Sequence, residues 1–317
     1  MTSLDIIIVN WNSGNQLNEC LESINSIDCS NFTLGKVVVV DNSSKDDSLK
    51  KIIDNKYFYN LMIHRNNNNA GFAKACNQGA NLCHSDFLLF LNPDTKLFKD
   101  SLTKVISFCA GFNSKLGVTG IKLINDEGIT MKTCRLFPTK IRRLCKVVGL
   151  SKIFPSLSVE MSLNDHNELR EVEQVMGAFF IISNELFKKF NGFDERYFVY
   201  YEEVDLCKRV HDMGYKNYFF PYSKAYHKGG GTSNQVKDLR LFYSLRSWLK
   251  YEKKFNGFFG AFTAFLIELL EYVTRLLYLL LTKRVKEVNE LNRAYIFLIK
   301  DLYYYAFTKT FCRRKFS

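Results

Sequence analysis

Five groups of residues in this sequence are chemically suggestive. Asp41 closes the four valines 37–40 in a Val-Asp-Asn-Ser stretch. A carboxylate there can accept a hydrogen bond from the imide N–H of uracil or thymine, although Asp-Asn-Ser equally favours an Asx-turn or a helix N-cap. Asn92-Pro93-Asp94 closes a second apolar run. Hard cations prefer oxygen ligands, so Asp94 can hold a divalent cation bridging a diphosphate. A plain turn is the competing reading. Residues 66–79 read N-N-N-N-A-G-F-A-K-A-C-N-Q-G. Glycines and amides at a helix start suit an anion or a ribose. The spacing is neither that of a P-loop nor that of a dinucleotide fingerprint, which excludes ATPase and nicotinamide readings.

Further along, Glu202, Glu203 and Asp205 crowd at a helix start, where capping competes with catalysis. Adjacent carboxylates on a helix point in different directions. Asp205 and Arg209, four apart, can pair, and Glu202 can help cap the helix. That leaves Glu203 to face a cleft as a general base. His227 precedes Gly229-Gly230-Gly231. It gains a metal-binding role only if it converges with Asp94, and is otherwise structural.

Short β-branched runs alternate with amphipathic segments through the first half. Strands are expected at 4–9, 37–40, 61–64, 87–91 and 118–123, and helices at 15–27, 48–53, 70–83 and 101–109. This alternation predicts a mostly parallel sheet covered on both faces. Such sheets bind ligands outside the carboxyl ends of their strands. Asn10, Asp41 to Ser44, Arg65 and Asn92 to Asp94 stand at those ends. Residues 125–172 read as an irregular, variable insertion with a basic cluster at Lys140, Arg142, Arg143 and Lys146. A strand at 175–182, regular structure continuing through 185–190, a helix at 203–213 and a strand at 217–220 complete this part.

With 317 residues, 47% of them hydrophobic, the chain can bury a large core. Nine scattered cysteines form no C-x-x-C pair, so a zinc ribbon or thioredoxin site is excluded and reduced thiols are expected. Asp5 interrupts the first apolar run, which is too short for a secretory signal, so the chemistry is expected in the cytoplasm. The net charge is +12, of which +9 falls in residues 236–317. That segment is helical in pattern, with Glu268, Glu271 and Arg275 on one face of a long apolar stretch. It reads as an interfacial amphipathic extension, peripheral on the inner face of the cell membrane, or as a surface for a homodimer. A nucleic-acid partner is not expected, because no helix-turn-helix, zinc or RNA-binding signature is present.

Taken in order, V-N-W-N, V-D-N-S-S, N-N-A-G-F-A-K-A-C-N-Q-G, F-L-N-P-D, G-A-F-F-I-I-S, G-F-D-E-R-Y-F-V-Y-Y-E-E-V-D-L-C-K-R and A-Y-H-K resemble glycosyltransferase family 2 across residues 3–232. The pattern looks most like the bacterial rhamnosyltransferases of O-antigen and capsular polysaccharide assembly, and the galactofuranosyl branch shares much of it. The resemblance implies an α/β GT-A fold, Rossmann-like, with a catalytic domain at 1–235 and the helical extension at 236–317. It implies inverting, metal-dependent transfer of a sugar, L-rhamnose from dTDP-L-rhamnose or else a UDP-linked sugar, onto a polyprenyl-diphosphate-linked glycan. By the same resemblance Glu203 is the base, and Asp94 and His227 bind Mg²⁺ or Mn²⁺. Asn10, Asp41, Asn42, Asn69, Gly71, Asn77, Asn92 and Asp94 line the nucleotide-sugar cleft, and Met176, Gly177 and Glu202 lie on the acceptor side. The chain departs from the family in having one carboxylate in N-P-D and Glu at the base position, where Asp is frequent. A nucleotide- or glycan-binding module without turnover is the alternative.

Overall fold

The computed structural model describes residues 1–53, 55–112, 115–229 and 236–308, with side chains as far as Tyr305. Gly230, Gly231 and the basic run 313–315 lie outside the described residues. The chain divides into two compact units. One comprises Met1–Phe137, Val159–Phe198 and Glu202–Thr232, the other Pro138–Ser158, Val199–Tyr201 and Ser233–Ser317.

The first unit is built in chain order from β1 (Ser3–Asn10), α1 (Gln16–Ile24), β2 (Thr33–Asp41), α2 (Lys50–Ile53), β3 (Asn60–Arg65), α3 (Phe72–Ala80), β4 (Phe87–Leu91), β5 (Thr95–Leu97), α4 (Thr103–Gly111), β6 (Leu116–Ile124) and β7 (Cys134–Arg135). The chain then passes through α5 (Lys140–Val147) and α6 (Leu150–Ile153) of the second unit. It returns as β8 (Arg170–Val172), β9 (Gln174–Val175), β10 (Phe179–Ser183), α7 (Asn184–Lys189), α8 (Glu202–Asp212) and β11 (Lys216–His227). The main sheet runs β3-β2-β1-β4-β10-β6-β11-β5, with β8 on β11. Its first four strands are parallel, as is β6–β11, while β10 runs antiparallel between β4 and β6.

The valines of β2 and the isoleucines of β1 are fully buried, as strands covered on both faces require. Asp5 sits inside that apolar strand because three backbone amides, of Lys36, His84 and Ser85, donate to its carboxylate. At the far end of the unit, Asp205 of α8 is fully buried and accepts from Arg209 Nε at 2.7 Å. Arg209 also donates to the carbonyls of Phe190 and Gly192 at 2.6 and 2.8 Å. The expected four-residue pair therefore ties α8 to the turn that ends α7.

Several expectations are corrected. The helix expected at 48–53 is a single turn. The strand expected at 175–182 is split by Met176-Gly177-Ala178, and the one at 217–220 is the start of a twelve-residue strand that reaches His227. Residues 125–172 are not irregular, since they hold two strands, two helices and 3-10 turns.

The second unit contains α5, α6, α9 (Lys237–Leu281) and α10 (Val285–Thr308). Gly257, at φ 69° and ψ −163°, breaks α9 into two helical parts. The face of Glu268, Glu271 and Arg275, expected to be the water side of an interfacial helix, is turned largely inward. Glu268 is fully buried, and Arg143 of α5 reaches Glu268 and Glu271 at 3.3 and 2.7 Å. Burial pushes the Glu268 carboxyl up to about 7, against the pull of Arg143. Among the described residues no helix is long and apolar enough to cross a membrane.

Arg209→Ala removes the charge partner of a buried carboxylate, leaving it hydrogen bonds such as that from the Tyr197 hydroxyl at 3.4 Å, and frees two carbonyls. It should cost about 3–5 kcal/mol, seen as a lowered Tm. Arg209→Lys should recover only part of that, because an ammonium lacks the guanidinium fork.

Candidate active site

The parallel strands end in polar residues at one edge of the sheet. Asn10 and Asp41 are register partners at the ends of β1 and β2. Asn10 Nδ2 donates to Asp41 Oδ1 at 2.8 Å, and to Ser48 Oγ at 2.9 Å and Ser44 Oγ at 3.1 Å. Ser13 donates to Asn10 Oδ1. The Ser44 amide donates to Asp41 Oδ2 at 3.1 Å, so the turn reading of Asp-Asn-Ser is realised here. Each carboxylate oxygen has a second lone pair, so Asp41 can still accept from a base. Neighbouring Asn42 accepts from Asn66 and Ala70 and donates to the Gly71 carbonyl, fastening the loop before α3.

Asn69 Oδ1 accepts from the Gly71 amide at 3.0 Å. Gly71 has φ 89°, and a Cβ there would lie 2.6 Å from the Phe198 carbonyl oxygen. The next amide, Phe72 N, donates to that same oxygen at 2.6 Å. Gly71 is therefore a point of close backbone approach. Asn77 was read as a cleft residue, but its amide spans the Phe193 backbone, accepting from N at 2.9 Å and donating to O at 2.8 Å. It also donates to Glu195.

Asp94 and His227, 133 positions apart, are brought together by strand pairing. β5 follows Asp94 directly and runs antiparallel to the end of β11, with Thr95 opposite His227. Lys228 N donates to the Asp94 carbonyl at 3.1 Å, and His227 Nε2 lies 3.3 Å from Asp94 Oδ1. Both side chains are at least nine-tenths buried. The imidazole Nδ1 is buried and has no hydrogen-bond partner among the described residues. Asn92 contributes backbone here, its amide donating to the Ala178 carbonyl. A carboxylate oxygen and an imidazole nitrogen fit Mn²⁺ or Mg²⁺, but no group of three metal-ligating side chains exists among the described residues. Diphosphate oxygens would have to complete such a site.

The third cluster forms where Met176-Gly177-Ala178 interrupts the strands. A Cβ on Gly177 would touch Cγ of Glu203 at 3.5 Å, so this turn packs directly on the Glu203 side chain. Met176 is half-buried against the sheet core. Glu202 points elsewhere, as adjacent residues on a helix must. It is 4% exposed, and burial together with the charge of Glu203 holds its carboxyl well above the usual range. Cys76 of α3 lies near both carboxylates, and burial and their charges push its thiol up.

Sequence reasoning missed five residues. Ser13 and Ser48 orient Asn10, and nothing in their spacing marks them. Phe198 acts through its backbone. Tyr200 and Tyr201, directly before α8, hold φ of 67° and 71°, a left-handed conformation that non-glycine residues rarely adopt and that clusters at functional sites.

A mixed, mostly parallel sheet with nucleotide-type strand ends defines a GT-A transferase fold. The sequence profile of Glycosyl transferase family 2 matches residues 5–190, and the chain belongs to that family. It is 26% identical over 257 residues to rhamnosyltransferase WbbL of Escherichia coli (strain K12), covering 78% of this chain and 91% of that one. It is 25% identical to the low-salt glycan biosynthesis hexosyltransferase Agl10 of Haloferax volcanii over 66% of this chain, and spans 62% of that relative's length. Among solved structures, the mannosyltransferase PcManGT of Pyrobaculum calidifontis, in complex with GDP-Man and Mn²⁺, superposes with a TM-score of 0.55 at 13% identity. That match covers 93% of this chain and 86% of the other.

Because Glu202 keeps in the folded state a proton that the unfolded chain releases, its burial lowers stability as pH rises above the ordinary carboxylate value of 4.5. Glu202→Gln should raise Tm at about pH 8 while leaving it nearly unchanged at about pH 4, flattening the profile.

Proposed function

We propose that the chain is an inverting transferase that moves a sugar from a nucleoside diphosphate to a saccharide hydroxyl. The observation that carries this reading is the convergence of Asp94 and His227, 3.3 Å apart, in the same unit as Glu203 packed on Gly177. L-rhamnose from dTDP-L-rhamnose is the favoured donor, supported by the likeness to WbbL. A UDP-linked hexosyl or galactofuranosyl donor is the alternative. The acceptor is a polyprenyl-diphosphate-linked glycan, in line with the 25% identity, over 146 residues, to the N-acetylglucosaminyl-diphospho-decaprenol L-rhamnosyltransferase of Mycobacterium tuberculosis. That match covers 45% of this chain and 47% of the relative.

In this reading Asp41, oriented by Asn10 and Ser44, accepts the imide N–H of the pyrimidine. The loop held by Asn42, Asn69 and Gly71 borders the nucleotide. Asp94 and His227 hold Mg²⁺ or Mn²⁺, which when bound neutralises charge on the departing diphosphate. Glu203 takes the proton from the acceptor hydroxyl as that oxygen attacks the anomeric carbon from the face opposite the leaving group. The hydroxyl becomes acidic as it bonds, so a carboxylate is a sufficient base. No covalent enzyme intermediate forms, and no Ser or Cys nucleophile is required. Glu202, uncharged, contributes shape on the acceptor side together with Met176 and Gly177.

The catalytic part is placed at 1–235, and the extension 236–317 holds it, as a peripheral protein, on the inner face of the cell membrane. A binding module without turnover is the second reading, favoured by the single carboxylate of N-P-D.

Nucleoside diphosphate release from dTDP- and UDP-sugars, with a synthetic lipid-diphosphate saccharide and Mn²⁺ or Mg²⁺, tests the proposal. Glu203→Gln should lower kcat by about 10²–10⁴ while donor binding persists. His227→Ala should raise the metal concentration needed for half-maximal rate. Saturable donor binding without release from any donor selects the binding module.

In cell fractionation the full chain should sediment with membranes and be released by alkaline carbonate, as a peripheral protein is. Recovery in the soluble fraction alone counts against the membrane placement.

A further inference from the structure

The second unit sorts its side chains against the usual rule. In the part of α9 after Gly257, Phe259, Phe262, Leu266, Val273, Leu277 and Leu280 recur at helical spacing and are exposed. Its acids face inward instead, where Glu268 and Glu271 meet Arg143 of α5. Arg246 of α9 meets Asp301 of α10 at 3.0 Å, and both are buried. A soluble helix that hides carboxylates and shows leucines has an apolar environment to meet.

The segment α5–α6 carries the same signature. Ile141, Leu144 and Val148, spaced i, i+3 and i+7, are exposed, as are Ile153 and Phe154. Pro138–Ser158 holds five Lys and Arg and no Asp or Glu, with Lys146 and Lys152 exposed. The whole unit carries 21 Lys and Arg against 7 Asp and Glu, a net of +14, which leaves −2 on the rest of the chain. Of those seven acids, Glu252, Glu268 and Asp301 are buried, so the exposed charge is still more cationic than the total.

Charge decides the occupant. A second copy would set +14 against +14 across the same face. An anionic bilayer answers the apolar stripe and the cations together. We propose that α5 and α6 form a docking surface for an anionic lipid bilayer, entering the near leaflet without crossing it. This rests on the membrane placement proposed above and extends it from the C-terminal extension to Pro138–Ser158, which Arg143 pins to α9.

Flotation of the full chain with phosphatidylcholine vesicles, with and without phosphatidylglycerol, tests it. Wild type should bind the phosphatidylglycerol vesicles and bind the neutral ones weakly. Ile141→Asp with Ile153→Asp should weaken that binding by about tenfold or more, since two apolar contacts are lost. Lys146→Glu with Lys152→Glu should weaken it by a similar factor and reduce its salt sensitivity. Tm and nucleotide release with a soluble saccharide acceptor should be unchanged in both variants. If both bind as wild type does, α5–α6 is no lipid contact, while the membrane placement stands. If wild type binds neither vesicle, both claims fall. If wild type is a dimer that Ile141→Asp with Ile153→Asp makes monomeric, with vesicle binding intact, the occupant is a second copy and the proposal is overturned.

Discussion

Everything at the site follows from burying the parallel strands β1, β2 and β4 on both faces. Their interiors are apolar along nearly their whole length, so polar chemistry is confined to the last residue of each strand and to the loop after it. Asn10 and Asp41 sit side by side there because parallel register leaves them no choice. The cost of placing an amide and a carboxylate at a buried strand end is met by mutual hydrogen bonding, with Ser13, Ser44 and Ser48 closing the network. Asp41 is thus held in one orientation with acceptor capacity to spare. A recognition group fixed in advance loses little entropy when its ligand arrives.

The same constraint explains why Asp94 and His227 need a different device. No parallel crossover can place the end of β4 beside the end of β11, since β10 and β6 stand between them. The short strand β5 solves this by leaving β4, crossing to the far edge and pairing antiparallel with the end of β11. Two residues distant in sequence become neighbours through three ladder positions. The Lys228 amide on the Asp94 carbonyl locks that register from the other side.

Much of this was legible in the sequence wherever a signal was local. The valines of β2, the run 87–91 and the Asp205–Arg209 spacing each have one physical solution, and the chain adopts it. The motifs ending in Asp41 and Asp94 fall at strand ends as their flanking apolar runs imply, whereas His227 closes a strand that was expected to stop at 220. What was not legible depends on partners distant in sequence. Asn77 serves the Phe193 backbone, 116 positions away, and no periodicity points there. The interruption at Gly177 is hidden in an apolar run that reads as one continuous strand. Glu268 and Glu271 looked like a water-facing stripe because a helical wheel gives the face but not the side that is covered. Arg143, in a segment read as a variable insertion, and the Tyr295 hydroxyl of α10 meet them on the inner side.

The pair Glu202–Glu203 shows how one helix start can hold two carboxyls in different surroundings. Two ionised carboxylates side by side in a poorly hydrated place raise each other's energy, and burial with the charge of Glu203 raises the Glu202 carboxyl well above its usual range. Burial selects Glu202, at 4% exposure, and the turn at Gly177 leaves Glu203 partly open. The assignment is therefore set by which residue the helix turns into the core. The start of α8 follows two consecutive tyrosines in the left-handed region, each costing roughly 1–3 kcal/mol. Shifting that start by one residue would rotate the helix by about 100° and carry Glu202 out of its buried position. The Asp205–Arg209 clamp holds α8 against the turn after α7 in one phase, and that phase decides which glutamate is turned into the core.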